Sequence, residues 1–198
     1  MMDYDLIFRV LLAVLLVSFT IHRGYYTRKY RAQGEQINPD EDPRASERAA
    51  GVLAVLGLIG TILYIINPSL MAWSSIQLPE WLRWAGVFIA LLGFGLLQWS
   101  QNTLGENWSD NPNLMDGHRL VTNGPYQWVR HPIYSSFLLI LGSTFLISAS
   151  WFIGGSWIMM MALDISTRID AEEELLISRY GDQYREYMTR TGRIFPDL

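Results

Sequence analysis

Residues 133–163 read IYSSFLLILGSTFLISASWFIGGSWIMMMAL, a stretch without a single charged side chain. Ser148-Ala149-Ser150 divides it into two apolar runs, Ile133 to Ala149 and Trp151 to Leu163. Two apolar runs separated by so few residues read as a tight helical hairpin. Each arm is at the short end for crossing the roughly 30 Å of hydrocarbon in a bilayer. The same pattern repeats toward the N-terminus. Leu6 to Ile21 is apolar apart from Arg9, Ala49 to Ile66 is rich in Gly, Ala, Leu and Ile, and Leu82 to Trp99 carries Gly86, Gly93 and Gly95, which permit close helix approach. Asn67-Pro68 ends the second run, and Trp73 and Trp81 suit a membrane interface. The expectation is an all-α integral membrane protein of five transmembrane helices. The last two form the hairpin, and a cytoplasmic C-terminal helix follows it.

Composition agrees with that class. Of 198 residues, 50% are hydrophobic and 17% charged, against about 25% charged in a soluble domain. The first run follows Asp3 and Asp5 and ends in His22-Arg23-Gly24-Tyr25-Tyr26. A signal peptide has a basic start and small residues at its cleavage site, so this segment reads as a retained helix with Arg9 snorkelling. The chain has no cysteine, which excludes disulfides and thiolate chemistry. Its histidines are His22, His118 and His131, at no metal-binding spacing, so no metal is expected. A net charge of −4 does not suggest nucleic acid as a partner.

Lysine and arginine alternate between loops. Arg23, Arg28, Lys29, Arg31, Arg44 and Arg48 crowd the first loop, Asn67 to Pro79 has none, and Arg119 and Arg130 lie in the third polar stretch. The hairpin tip has none, and Arg168, Arg179, Arg185, Arg190 and Arg193 follow it. With five spans this puts the N-terminus outside and gathers the long loop and the tail on the cytoplasmic face. The chain reads as one membrane domain, 1–198, with N-terminal helices and loop in 1–81 and the chemistry in 82–198.

Three features carry that chemistry. Asp116 to Tyr126 (DGHRLVTNGPY) is rich in turn residues and, by composition, reads as well as an ordinary loop. Arg130-His131-Pro132-Ile133-Tyr134 opens a helix with proline in its first turn. The positive end of that helix is a ready place for a carboxylate, although basic residues at an interface explain it equally. Asp164, Arg168 and Glu172 lie four apart on one helix face, beside Glu173 and Glu174. Such a stripe is either a solvated helix start or a set of groups facing a cavity, since ionisable residues near membrane depth are costly.

In order, these pieces run Gly117 to Tyr126, Arg130 to Tyr134, an apolar hairpin, Arg168 to Glu173, and Tyr180-Gly181 to Tyr187. With Leu104 to Ser109 before them, they resemble a prokaryotic-type member of the isoprenylcysteine carboxyl methyltransferase family, related to the phospholipid N-methyltransferases. The resemblance covers about residues 82 to 198; Ser136 departs from it, where many members have Gly. It implies S-adenosyl-L-methionine as cofactor and the bilayer with a lipophilic or lipid substrate as partners. It also implies a cytoplasmic pocket capped by the C-terminal segment. Carried over, His118, Arg119, Leu120, Val121 and Tyr126 line the cofactor pocket, and Arg130, His131 and Tyr134 lie at the cofactor's polar end. Glu173 binds its amino group, and Arg168 and Glu172 are catalytic, where substrate meets methyl donor. An amine acceptor, as in a phospholipid N-methyltransferase, is the alternative. An NADPH-dependent sterol-type reductase and a non-enzymatic membrane scaffold are the more distant ones; no Rossmann glycine pattern supports the former.

Overall fold

A computed structural model describes residues 4–31, 45–105 and 120–197. Its helices are α1 (Tyr4–Arg31), α2 (Ala45–Ile66), α3 (Glu80–Leu104), α4 (Pro132–Ser148), α5 (Trp151–Tyr180) and α6 (Asp182–Met188). Short 3-10 turns occupy Pro68–Ser74 and Gly124–Gln127. Among the described residues there is no named strand, and the chain is all-α. Three helices are long and apolar enough to cross a membrane, over Asp5–Lys29, Ala45–Ile66 and Glu80–Leu104; Pro132–Ser148 is a shorter apolar helix.

Four helices, α1, α2, α3 and α5, outrun their apolar runs. The largest difference is in α5, where the run expected over Trp151 to Leu163 continues unbroken through the charged stripe to Tyr180. At 1.5 Å per residue that is about 45 Å, so one rigid rod carries both the apolar face and the charged one. It ends at Gly181, whose φ of +56° suits only glycine without strain. The chain then starts α6 at once, a break that the periodicity alone does not reveal.

Lipid tails are as apolar as leucine, so helices in a bilayer associate through close packing and interhelical hydrogen bonds rather than water exclusion. Both are visible. On α3, a Cβ at Gly86 would stand 2.7 Å from Leu146 Cβ, and one at Gly93 2.8 Å from Ile140 Cγ1. Gly57 and Gly60 of α2 meet Trp157 and Phe152 of α5 in the same way. Gly95, expected to serve the same purpose, faces open space. Three serine hydroxyls of α4 are tied to their own helix, Ser136 to Pro132 O (2.7 Å), Ser143 to Ile140 O (2.6 Å) and Ser148 to Thr144 O (2.6 Å). Polar groups on a helix packed on both sides are thereby satisfied.

α4 and α5 join through Ala149, in the left-handed region at φ 49°, and Ser150, whose side chain accepts from Ile153 N. Gly154 then lies where a Cβ would come 2.2 Å from Phe145 Cβ. Gly154→Leu is therefore expected to lower thermal stability in detergent by at least the 1–3 kcal/mol or so typical of overpacking. Gly95→Leu is expected to leave the unfolding midpoint where it is. Equal midpoints for both variants would contradict the packing described.

Two arginines in the apolar helices close the opposite end of the bundle from the charged stripe of α5. Arg9 donates to Ile65 O (2.9 and 2.7 Å) and Ile66 O (2.6 Å), so it caps the C-terminal carbonyls of α2. Arg83, buried in α3, donates to Asp5 Oδ1 (2.7 Å), Tyr64 Oη (2.7 Å) and Ile147 O (3.1 Å), with its guanidinium 3.9 Å from the Phe8 ring centre. One side chain thus joins α1, α2, α3 and α4.

Candidate functional site

At the other end, a return of the backbone builds the site. Beyond α6 the chain runs alongside the segment before α4. Gly192 N donates to Trp128 O (3.1 Å), Arg130 N to Gly192 O (2.8 Å) and His131 N to Arg193 O (3.0 Å). Ser135 Oγ, in the first turn of α4, donates to Ile194 O at 2.6 Å. Gly192 also admits a tight bend of the tail on itself, since a Cβ there would collide with the backbone of Phe195 and Asp197. Tyr187 of α6 adds a bond from its hydroxyl to Tyr126 O (2.5 Å).

The return carries charge to one buried carboxylate. Glu173 of α5 is 4% exposed. Its Oε1 accepts from Arg130 Nε (2.9 Å) and lies 3.3 Å from His131 Nε2; its Oε2 accepts from Arg193 Nε (3.1 Å) and Nη2 (2.6 Å). Arg193 also binds Asp170 Oδ1 at 2.6 Å. Arg130 Nη1 donates to the carbonyls of Met188 and Thr191, at the end of α6 and just beyond. Burial by itself would raise the Glu173 pKa, but bonds from His131, Arg193 and Arg130 outweigh it and hold the carboxyl well below its usual range.

Glu172, the next residue, accepts from Tyr134 Oη (2.6 Å), and its other oxygen lies 3.4 Å from His131 Nδ1. Both nitrogens of the His131 ring therefore face carboxylates, which calls for the doubly protonated ring. Burial opposes that charge, yet the pairings with Glu172 and Glu173 prevail and the histidine pKa is raised. One turn earlier on α5, Arg168 Nε binds Asp164 Oδ1 at 2.8 Å.

The two titrations oppose each other in pH. Glu173, lowered from its ordinary 4.5, contributes stability that is present above that value and lost as pH falls through its folded-state value. His131, raised from 6.5, contributes stability that is complete below 6.5 and lost as pH rises through its folded-state value. The unfolding midpoint is expected to decline on the alkaline side of pH 6.5, and His131→Gln to flatten that decline. An unchanged slope in the variant would show that the ring is neutral.

Of the residues expected at a site, the structure brings together Arg130, His131, Tyr134, Glu172 and Glu173, with Arg168 on the same face of α5 as Glu172. The carboxylates at the start of α4 are the chain's own. Leu120 and Val121 are half-buried and Tyr126 buried; His118 and Arg119 lie outside the described residues. Arg193 and Asp170 were not anticipated. Arg193 read only as one of the basic residues of the tail, and the signal in it is a basic residue beside a glycine around which the tail bends tightly.

Residues 85–178 match the model of the isoprenylcysteine carboxyl methyltransferase family. The protein-S-isoprenylcysteine O-methyltransferase of Homo sapiens is 28% identical over 126 residues, 63% of this chain and 44% of that protein. The enzyme of the same name from Dictyostelium discoideum is 33% identical over 110 residues, 54% of this chain and 46% of that one. The chain thus spans about half the length of these curated relatives. A solved structure of the eukaryotic intramembrane Ras methyltransferase ICMT superposes with a TM-score of 0.56 at 24% identity, covering 78% of this chain and 54% of that one. At that identity the likeness is one of fold.

Proposed function

We propose, from the match of residues 85–178 to the model of the isoprenylcysteine carboxyl methyltransferase family, that the protein is a membrane methyltransferase that uses S-adenosyl-L-methionine. It methylates a lipophilic acceptor at the cytoplasmic face, in the first instance a carboxylate of the isoprenylcysteine type. The observation that carries this reading is Arg168 and Glu172 on one face of α5, with Glu172 held by Tyr134 and His131 from the start of α4.

The residues fit the amino-acid end of such a cofactor. Arg130, His131 and Arg193 supply positive charge, Glu172 and Glu173 negative charge. The Tyr184 hydroxyl, buried within the field of Glu173 and Arg130, has no hydrogen-bond partner. His118, Arg119, Leu120, Val121 and Tyr126 complete the cofactor side, with Arg130, His131 and Tyr134 at its polar end. Both oxygens of Glu173 are engaged by cations, so Glu173 acts by fixing Arg130, His131 and Arg193, and Glu172 is the carboxylate nearer a bound ammonium.

S-adenosylmethionine, when bound, supplies a methyl group already activated by its sulfonium charge. The chain's task is alignment. Arg168 orients the acceptor carboxylate, which is a nucleophile at neutral pH and needs no base. With an amine acceptor, Glu172 would take the proton instead. Residues 82–198 form this methyltransferase core. α4 and the apolar part of α5 are the fourth and fifth spans, with the N-terminus outside, as the arginine distribution supports.

Calorimetric titration of the purified protein with S-adenosylhomocysteine and with NADPH tests the cofactor. Binding of the first alone is the expected result; binding of NADPH would favour a reductase, and binding of neither a scaffold. Membranes incubated with methyl-labelled cofactor would then identify the acceptor by the labelled product.

A further inference from the structure

The described tryptophans sort by depth in the bundle. Trp73, Trp81, Trp84 and Trp151 gather at the end that Arg83 closes, where Trp73 and Trp151 meet edge-on with ring centres 5.4 Å apart. At the opposite end Trp99 and Trp128 meet edge-on in the same way, 5.6 Å apart. These six are each at least 44% exposed. Trp157, between the two levels on α5, is 9% exposed and donates to Thr61 Oγ1 at 3.3 Å. Between the levels the outer surface carries Phe88, Leu91 and Leu92 of α3 and Ile158 and Met159 of α5. From Trp81 to Trp99, α3 rises about 27 Å, close to the roughly 30 Å of a hydrocarbon layer. Arg168 stands about 26 Å along α5 from Trp151, level with the second pair. An exposed indole is well placed only where its ring meets lipid and its N–H meets a polar group.

We propose that Trp99 and Trp128 form a lipid anchor: both rings lie in the glycerol and carbonyl layer of the leaflet on the side of Glu173, and they fix there the turn that leads into α4. A protein partner would explain neither the matching set at the other end nor the apolar band between. The anchor is joined to the site by the backbone. A Cβ at Gly124 would fall 2.8 Å from Thr103 Oγ1 and 3.3 Å from Trp99 Nε1, so the turn Gly124–Gln127 lies directly on the end of α3. Trp128 closes that turn, its N bonded to Pro125 O (3.2 Å), and its carbonyl accepts from Gly192 N of the tail (3.1 Å). Two residues on, Arg130 reaches Glu173. Seating the two rings therefore sets the level of Arg130 and His131. The anchor itself does not depend on the methyltransferase reading; its bearing on cofactor binding does.

The test places wild type, Trp99→Phe and Trp128→Phe in phosphatidylcholine vesicles with bromine either near the carbonyl end or near the methyl end of the acyl chains. The emission lost in each Phe variant isolates one indole. That emission is expected to be quenched more strongly by the shallow bromines. Quenching by neither set, or more strongly by the deep one, would overturn the anchor. Calorimetric titration with S-adenosylhomocysteine in plain vesicles then reads the coupling. Replacing both tryptophans by Ala is expected to raise Kd about two- to tenfold, the worth of an aromatic pair. Replacing both by Tyr, which suits the same layer, restores the wild-type value, and replacing both by Leu does not. No loss with Ala, or equal values for Tyr and Leu, would overturn the coupling. If the wild type does not bind S-adenosylhomocysteine, the cofactor reading is what fails, and the quenching still decides the anchor.

Discussion

Glu172→Gln and Arg168→Leu are each expected to lower methyl transfer by about 10²- to 10⁴-fold, the range for removal of a positioned group at a reacting centre. Neither change should unfold the protein. The side chains of Arg168 and Glu172 are 45% and 28% exposed, so neither leaves a sealed void behind. Gln at 172 still offers an oxygen to the Tyr134 hydroxyl, and only the charge beside His131 is lost. Leu at 168 keeps helix propensity while deleting the guanidinium. Methyl incorporation measured beside a circular-dichroism melt separates the two effects. Wild-type rates in both folded variants would sink the assignment of this face as catalytic. Divergence between them would be informative too: a rate that survives Glu172→Gln but not Arg168→Leu points to a carboxylate acceptor, and the reverse to an amine.

The second large effect concerns Glu173, whose loss strands three cations together. Glu173→Ala leaves Arg130, Arg193 and the protonated ring of His131 without their shared counter-charge in a buried place. Removing one partner from a buried ion cluster costs about 3–5 kcal/mol; Arg193 keeps Asp170 and His131 keeps Glu172, so the loss falls mainly on buried Arg130 and lies toward the lower end of that range. The adjacent Glu174 is exposed and serves as control, since Glu174→Ala should be close to neutral. The loss should appear first at the tail, where Arg193 and the backbone of Gly192 are held against the start of α4. Limited trypsin digestion is expected to cut at Arg190 and Arg193 in Glu173→Ala well before it does in the wild type. A stable variant with a protected tail would show that the backbone pairing alone holds the segment.

The membrane class was legible because it depends on run length, which packing cannot disguise. Which small residues face a neighbour was only partly legible: Gly86 and Gly93 meet α4, while Gly95, two residues from Gly93 and on another side of the helix, meets nothing. Arg9 and Arg83 show why charges inside apolar runs are hard to read. A lone arginine can snorkel, cap another helix or pair with a distant acid, and the choice depends on partners such as Ile65 and Asp5 that lie far along the chain. The site was legible wherever its residues share one helix, as Arg168 and Glu172 do by their spacing. It was illegible wherever a partner arrives by a long return of the backbone, as Arg193 does to Glu173. Gly181 was quoted in a motif, but its positive φ is a property of the turn into α6 that no periodicity encodes.

The pairing of Gly192 and Arg193 with residues 128–131 also has a consequence for biogenesis. Arg130 and Thr191 are 61 positions apart. At the usual 5–20 residues per second of synthesis, roughly 3–12 s separate their emergence from the ribosome. Throughout that interval the nascent chain can insert its apolar helices, while the start of α4 still waits for the tail that will lie against it. The cluster of charges around Glu173 then closes in a single step, after insertion. Chains interrupted before Arg193 would leave Glu173 with Arg130 and His131 alone.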